Sequence, residues 1–381
     1  QRQMCIRDRS YLGPKVYIDL LQLKKNYHIV KSEVGEIPIM ATVKANAYGH
    51  GAVEVSKALE QEGVRYLAVF TIDEGIELRD AGIKTDIFIY AKFDPTRVQE
   101  ASKHNLTLNI SSFDDLKALK AHNGNSVKVH LKIDTGMTRL GVPYEQAEDF
   151  LKEANQIESI ELEGLYSHFA TADEGDLSYA NSQLSKFNDI IEISKKLDIS
   201  FAFVHCSNSG AILNVQDSRF NMVRAGMLLY GAFPSDEVPQ ELPIKPVMTF
   251  TAPVVEIRDV KAGTQISYGG VYTTKSDTRI AVIQAGFADG IPRPWYIDGF
   301  VKFQNQDFKI TGRICMDQLM IDIGTADIKY GDEILIFGSN EHGSIDINHI
   351  AKKIDSTSYV LVTALGIRPK RFYKFEEQIK T

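Results

Sequence analysis

"ATVKANAYGHG", residues 41–51, is the stretch on which the reading of the fold turns. A short apolar, β-branched run, "PIMATVK", ends on Lys44; "NAYGHG" then turns the chain, and "AVEVSKALEQEG" follows with Val55, Ala58 and Leu59 at helical spacing. The pattern predicts strand, tight turn, helix. It places Lys44 at the carboxyl end of a strand, where open α/β sheets and (β/α)8 barrels alike bind ligands. A single lysine on a surface loop has no such meaning, so the units around it must supply the support.

Working outward, the same alternation recurs. "YLAVF" (66–70) precedes "DEGIELRDAGI", "DIFIYA" (86–91) precedes "DPTRVQEASKH", and "LTLNI" precedes "SFDDLKALKAH". "VKVHLKI" precedes "PYEQAEDFLKEA", "IELEGLYSHF" precedes "LSYANSQLSKFNDIIEISKKL", "FAFVHCS" precedes "SGAIL", and "FNMVRAG" comes last. Counting the lysine strand, these make about eight βα units, which predicts parallel strands closed into a (β/α)8 TIM-type barrel. An open doubly wound sheet is the second choice, and the lack of G-x-G-x-x-G after the first strand counts against it.

At "FPSDEVPQELPIKPVMTF" the pattern breaks, with Pro234, Pro239, Pro243 and Pro246 crowded into one connection. Beyond it "MTFTAPVVEIRDV", "RIAVIQAG", "GFVKFQNQDFKITGRI", "LMIDIG" and "DEILIFG" read as strands joined by turns. The expected domains are therefore a barrel over 11–240 and a mainly β domain over 241–381. "YLGPKVYID" before the barrel is strand-like and a candidate to pair with the second domain. "QRQMCIRDRS" (1–10) fits neither pattern and is too short and charged for a secretory signal; it reads as a non-native leader and is set aside with Cys5.

Composition narrows the class. The 381 residues carry a formal net charge of −7, which argues against a general nucleic-acid binder, because phosphate neutralisation needs a basic face. No apolar run nears the roughly 20 residues of a membrane span. Cys5, Cys206 and Cys315 are sparse and lack C-x-x-C spacing, so neither disulfides nor zinc are expected, and a cytoplasmic setting is the simplest.

The predicted strand ends gather Lys44, Arg139 in "KIDTGMTRLG", His168 in "LYSHFATADE", Asn208 and Ser209 in "HCSNSGA", and Arg224 in "NMVRAGM". Taken alone, His168 reads more readily as a satisfied core histidine, and either arginine as an ion-pair partner, than as a site residue. Together they share one mouth of one barrel. "SNSG" and "RAG" fall on the seventh and eighth units, where barrels hold phosphate on backbone N–H groups. A lysine, a phosphate cradle and no metal motif point to pyridoxal phosphate on a lysine Schiff base.

At this point the chain resembles the bacterial, fold-type III alanine racemase family. "VKANAYGHG", "DTGMTRLG", "SHFATADE", "NMVRAGMLLYG", "SYGGVY", "GFADGIPR" and "GRICMDQ" occur in the family's order from about residue 14 to the end. The resemblance implies interconversion of L- and D-alanine with pyridoxal 5′-phosphate on Lys44, supplying D-alanine for peptidoglycan. It implies a homodimer with shared sites, in which Lys44 and Tyr268 of the other subunit are the two bases. Tyr48, Asn208, Ser209, Gly226 and the backbone at Met227 resemble the phosphate and cofactor site; Arg224 resembles the partner of the pyridine nitrogen, with His168 behind it. Arg139 and the backbone of Met316 resemble the substrate carboxylate site, and Lys132 matches a position often carbamylated. Phe287 stands where the family often has a tyrosine, and Ile367 where some members place one near the phosphate.

Barrel decarboxylases of ornithine or diaminopimelate would show a glycine triplet and an "EPGR"-like segment, both missing here. A single-domain, non-enzymatic pyridoxal-phosphate protein would lack the β domain and Tyr268. Serine racemisation by the same residues stays open beside alanine.

Overall fold

The computed structural model describes residues 11–122 and 126–375, so the leader read into residues 1–10 lies outside the described residues. They form two compact units. One comprises Leu23–Ala47 and Ala52–Lys245; the other comprises, of the described residues, 11–22, the insert Tyr48–Gly51 and 246–375. The first strand, β1 (Lys15–Asp19), belongs to the second of these.

The first unit holds β2 (Ile39–Thr42), β3 (Tyr66–Val69), β4 (Asp86–Ile89), β5 (Leu106–Ile110), β6 (Val127–Asp134), the two-residue β7 (Val142–Pro143), β8 (Ile160–Tyr166), β9 (Phe203–His205) and β10 (Val223–Ala225). They are parallel, in the order β10-β2-β3-β4-β5-β6-β8-β9, with β7 beside β6. The two ends of that order meet: Arg224 N donates to the Ser207 carbonyl at 3.0 Å, and Val204 N donates to Asn221 Oδ1 at 2.6 Å. The sheet is thus a nearly closed eight-stranded barrel, as the alternation predicts, and not a doubly wound sheet. Strands β2, β3 and β5 are buried at every position, the mark of parallel strands covered on both faces. Met40, Tyr66, Ala68, Phe88, Tyr166 and Met222 fill the core.

Between Lys44 and the helix Ala52–Gln61 the backbone does something the sequence conceals. The strand ends at Thr42, and Ala45, Asn46, Ala47 and Tyr48 all take left-handed conformations, with φ between 50 and 53°. For L-residues this costs roughly 1–2 kcal/mol each. Glu74 ties the start of this turn to the segment that opens a later helix, Ile72–Asp80. One carboxylate oxygen accepts from Ala45 N at 2.7 Å; the other accepts from Phe70 N at 2.7 Å and Thr71 N at 3.1 Å. Asn46 Oδ1 adds a bond from Ala52 N at 2.8 Å.

In the second unit, a sheet runs β16 (Gln306–Lys309), β15 (Phe300–Phe303), β18 (Glu333–Asn340), β11 (Met248–Val260), β1 and β20 (Lys370–Lys374). Strand β14 (Thr278–Ile283) joins β11, β17 (Leu319–Asp322) joins β14, and β19 (Gly343–Ile345) joins β18; β12 (Gln265–Ile266) and β13 (Tyr272–Thr273) form a separate hairpin. Val16, Ile18, Phe250, Ala252 and Leu335 form part of its core. The insert Tyr48–Gly51 packs here, which accounts for its glycines. Gly49 and Gly51 have φ of 81 and 100°, and a Cβ would collide with the Val362 carbonyl oxygen and the Tyr373 hydroxyl respectively. Two short helices, Ile347–Lys353 and Ser358–Thr363, interrupt the expected strand-and-turn pattern. Strand β20, "KRFYK", escapes a sequence reading because lysine and arginine dominate it and Phe372 is its one buried side chain.

Candidate active site

The C-terminal ends of the barrel strands bring one group of side chains together. Lys44 lies two residues beyond β2, Lys132 within β6 and Arg139 in the loop after it, His168 just after β8, Asn208 and Ser209 after β9, and Arg224 in β10. Alternation along "VKVHLKID" sets Lys128, His130, Lys132 and Asp134 on one face of β6, opposite Val127, Val129, Leu131 and Ile133.

Arg224 is the best-anchored of these groups. Its Nη1 donates to His205 Nδ1 at 2.7 Å and to the His205 carbonyl at 3.1 Å. Nη2 donates to the Ser167 carbonyl at 2.9 Å, the Cys206 carbonyl at 2.8 Å and His168 Nδ1 at 3.0 Å. Nε makes no hydrogen bond among the described residues, which leaves one N–H of a buried guanidinium uncommitted. Burial, then Arg224, holds His168 well below the usual histidine range, so its ring is neutral and accepts.

The other cations sit close enough to disfavour one another. Burial, then Arg139 and Arg224, pushes Lys132 down to about 7; its ammonium lies 5.3 Å from the centre of the Tyr166 ring. Burial, then Arg139, also lowers Lys44, against the opposing charge of Glu74; Lys44 Nζ is 5.5 Å from the centre of the Tyr90 ring. Arg139 itself is exposed and makes no hydrogen bond or ion pair among the described residues. Asn208 caps the helix Ser209–Asn214 by accepting from Ala211 N at 3.0 Å, and Gly226 N donates to Ser209 Oγ at 3.0 Å, which joins the loops after β9 and β10. Met227 opens the helical turn Met227–Tyr230.

Tyr48, Tyr268 and Met316 belong to the second unit. The Tyr48 ring lies 6.1 Å from that of Tyr359. Tyr268 is 65% exposed on the turn Tyr268–Gly270. Ser267 just before it has φ of 64° and donates to the Arg313 carbonyl at 2.6 Å, with Cys315 Sγ 3.5 Å away. Met316 is exposed next to Cys315, and its carbonyl accepts from Ala288 N at 2.9 Å, beside exposed Phe287. Ile367 is almost wholly exposed.

The reading of strand ends overlooked Glu74, Tyr90, Tyr166, His130, His205 and Glu163. A signal existed for His130: a polar residue between Lys128 and Lys132 on one face of a barrel strand. None existed for Glu163, whose place depends on a bulge described below.

A nearly closed parallel barrel whose strand ends gather a lysine, a buried arginine and two linked loops places the chain in the class of (β/α)8-barrel proteins. Residues 18–234 match the family model "Alanine racemase, N-terminal domain" and residues 247–373 match "Alanine racemase, C-terminal domain". The chain is 37% identical over 373 residues to alanine racemase 2 of Caldanaerobacter subterraneus subsp. tengcongensis, covering 96% of each. It is 38% identical to the alanine racemase of Halothermothrix orenii, covering 94% of this chain and 96% of that one. Among solved structures it is similar to alanine racemase of Clostridium difficile 630, with a TM-score of 0.90, 37% identity and coverage of 95% and 96%. The alanine racemase of Bacillus anthracis with bound L-Ala-P matches at a TM-score of 0.90, 31% identity and 97% of each chain. The chain belongs to the alanine racemase family, whose members are pyridoxal-phosphate-dependent isomerases. No described helix is long and apolar enough to cross a membrane.

Proposed function

We propose that this chain interconverts L- and D-alanine for peptidoglycan synthesis, acting as a cytoplasmic homodimer whose two sites each draw on both subunits. The observation that carries the reading is the excess of positive charge at the barrel mouth. Burial, then the charges of Arg139 and Arg224, lowers the proton affinity of both Lys44 and Lys132, a cost that a phosphate and a substrate carboxylate would offset.

The residues present fit pyridoxal phosphate. Arg224 Nε–H has no acceptor among the described residues and suits a ring nitrogen; Ser209, Asn208 and the backbone at Gly226 and Met227, with Tyr48, suit the phosphate. When bound, the cofactor supplies a carbonyl that condenses with an amine and a ring that takes up the electron pair of a broken Cα–H bond. Lys44, biased toward its neutral amine, holds the cofactor and moves the α proton at Nζ on one face of the substrate. Tyr268 of the partner subunit does so on the other face through its hydroxyl. Arg139 and the Met316 backbone bind the substrate carboxylate. Because a guanidinium holds its proton far more tightly than a pyridine nitrogen does, Arg224 would bond to the ring nitrogen without protonating it, which restrains electron withdrawal and suppresses transamination.

The test is direct. Borohydride reduction of the holoprotein should fix a pyridoxyl label on the Lys44 peptide, and rates should be highest with the enantiomers of alanine. A label on another lysine overturns the site assignment; faster turnover of serine replaces the substrate.

Lys132 carries a second expectation. A neutral amine adds to CO2 with loss of a proton, placing a negative charge beside Arg139. With its pKa near 7, Lys132 should take up CO2 increasingly between about pH 6 and 8, where ordinary surface lysines stay protonated. A carbamate signal in the 13C spectrum under labelled bicarbonate should follow that pH course and vanish in Lys132→Ala. Persistence of the signal in that variant excludes Lys132 as its source.

A further inference from the structure

Behind Arg224 a single file of buried groups crosses the barrel. His205 accepts at Nδ1 from Arg224 Nη1 at 2.7 Å, so its other nitrogen carries the proton. His205 Nε2 lies 2.9 Å from His130 Nδ1, and His130 Nε2 lies 3.2 Å from Glu163 Oε2. Guanidinium has no lone pair to accept, and an ionised carboxylate has no proton to give. With donors at one end and an acceptor at the other, every bond runs the same way: Arg224 to His205, His205 to His130, His130 to Glu163. Both rings are fully buried and held below the usual histidine range, chiefly by burial, so both are neutral with the proton on Nε2.

The sequence is arranged to permit this file. Strand β8 bulges against β6: Val129 pairs with Leu162 and His130 with Gly164, so Glu163 is the extra residue. A Cβ on Gly164 would collide with the His130 ring. Phe88 stacks on His130 at 4.7 Å, and Tyr166 on His205 at 4.9 Å. Tyr66 donates to Glu163 Oε2 at 2.5 Å, and Lys128 lies 3.4 Å from Oε1. Burial alone would raise the Glu163 pKa, but the bonds from His130 and Tyr66 outweigh it and bring it down to about 2. No carboxylate pairs with Arg224 directly among the described residues, although the residue is only 3% exposed.

We propose that Glu163 is a positioning residue for Arg224: through two neutral histidines it acts as the remote counter-charge that fixes their tautomers and keeps Nη1 engaged, leaving Nε–H for the cofactor ring. The catalytic half of this inference rests on the racemase reading above. The structural half does not, and the two are measured separately.

Removing the acceptor frees His130 to carry its proton on Nδ1. His205 would then protonate at Nδ1 and confront Arg224 donor to donor. The experiment uses the holoprotein of wild type, Glu163→Met and Glu163→Gln, with 15N-labelled histidine. Imidazole nitrogen shifts report which atom holds the proton, with His130 and His205 assigned by substitution. Wild type should show both rings neutral and protonated at Nε2. Glu163→Met should lose that pattern, fall about 10-fold in racemisation with alanine KM nearly unchanged, and turn over more often by transamination. Glu163→Gln, which keeps an acceptor without the charge, should retain the tautomers and fall between. If Glu163→Met does not fold, the wild-type tautomers and the Gln variant decide. Wild-type rings protonated at Nδ1, or a folded Glu163→Met with unchanged tautomers and unchanged partitioning, overturns the proposal. If wild type shows the tautomers but no racemisation, it is the racemase reading that falls.

Discussion

Lys44→Ala and Tyr268→Ala should each retain less than about a thousandth of wild-type racemisation, the loss expected when a proton-transferring group is removed. Mixing the two inactive proteins should restore activity. If each site takes Lys44 from one subunit and Tyr268 from the other, a mixed dimer has one site lacking both bases and one site with both. Random exchange makes about half of the dimers mixed, so recovery should approach roughly a quarter of wild type. The measurement is D-alanine formation against exchange time, with size-exclusion to show that dimers persist and exchange. The exposure of Tyr268 on its turn motivates the idea, since a base left 65% exposed within one chain needs another surface to exclude water. No recovery from demonstrated mixed dimers would place both bases on one chain.

Arg224→Glu should reduce racemisation by at least about a hundredfold while raising the share of turnovers that end in transamination, because a carboxyl group beside the ring nitrogen favours its protonation. The structure adds a cost that the sequence does not show. Three backbone carbonyls, at Ser167, His205 and Cys206, and two histidine nitrogens lose their donor. Each buried acceptor left unpaired costs on the order of 1–3 kcal/mol, so the melting temperature should fall as well. Arg224→Lys separates the effects: it retains a positive charge but not the planar fork, and should lose stability without gaining transamination. Cofactor content is measured in every variant. A cofactor-loaded Arg224→Glu enzyme with unchanged partitioning removes the electronic role of this arginine.

How far the chain could be read before folding depended on the range of the interaction. The barrel was legible because each βα unit declares itself within about 30 residues, through local periodicity and turn residues. Lys44, Arg139, His168, Ser209 and Arg224 were legible for the same reason: each follows or ends a recognisable strand. Strand β20 was not, because its place is set by pairing with β1, more than 350 positions earlier, and not by its own composition.

The left-handed turn at Ala45–Tyr48 lay beyond reach too, since alanine and tyrosine do not advertise positive φ; Glu74, near the start of the helix Ile72–Asp80 beyond β3, holds its first N–H in place. The sequence by itself determined a lysine at a barrel mouth, the loops after the last two barrel strands as its neighbours, and the order of the family's motifs. Only the tertiary structure decided what Arg224 rests on. Its file to Glu163 joins residues 19, 75 and 33 positions apart, and it exists because one bulge turns Glu163 inward and one glycine leaves room for a ring. Such bonds depend on the side chains' positions to within about half an ångström, which only the closed, packed barrel specifies.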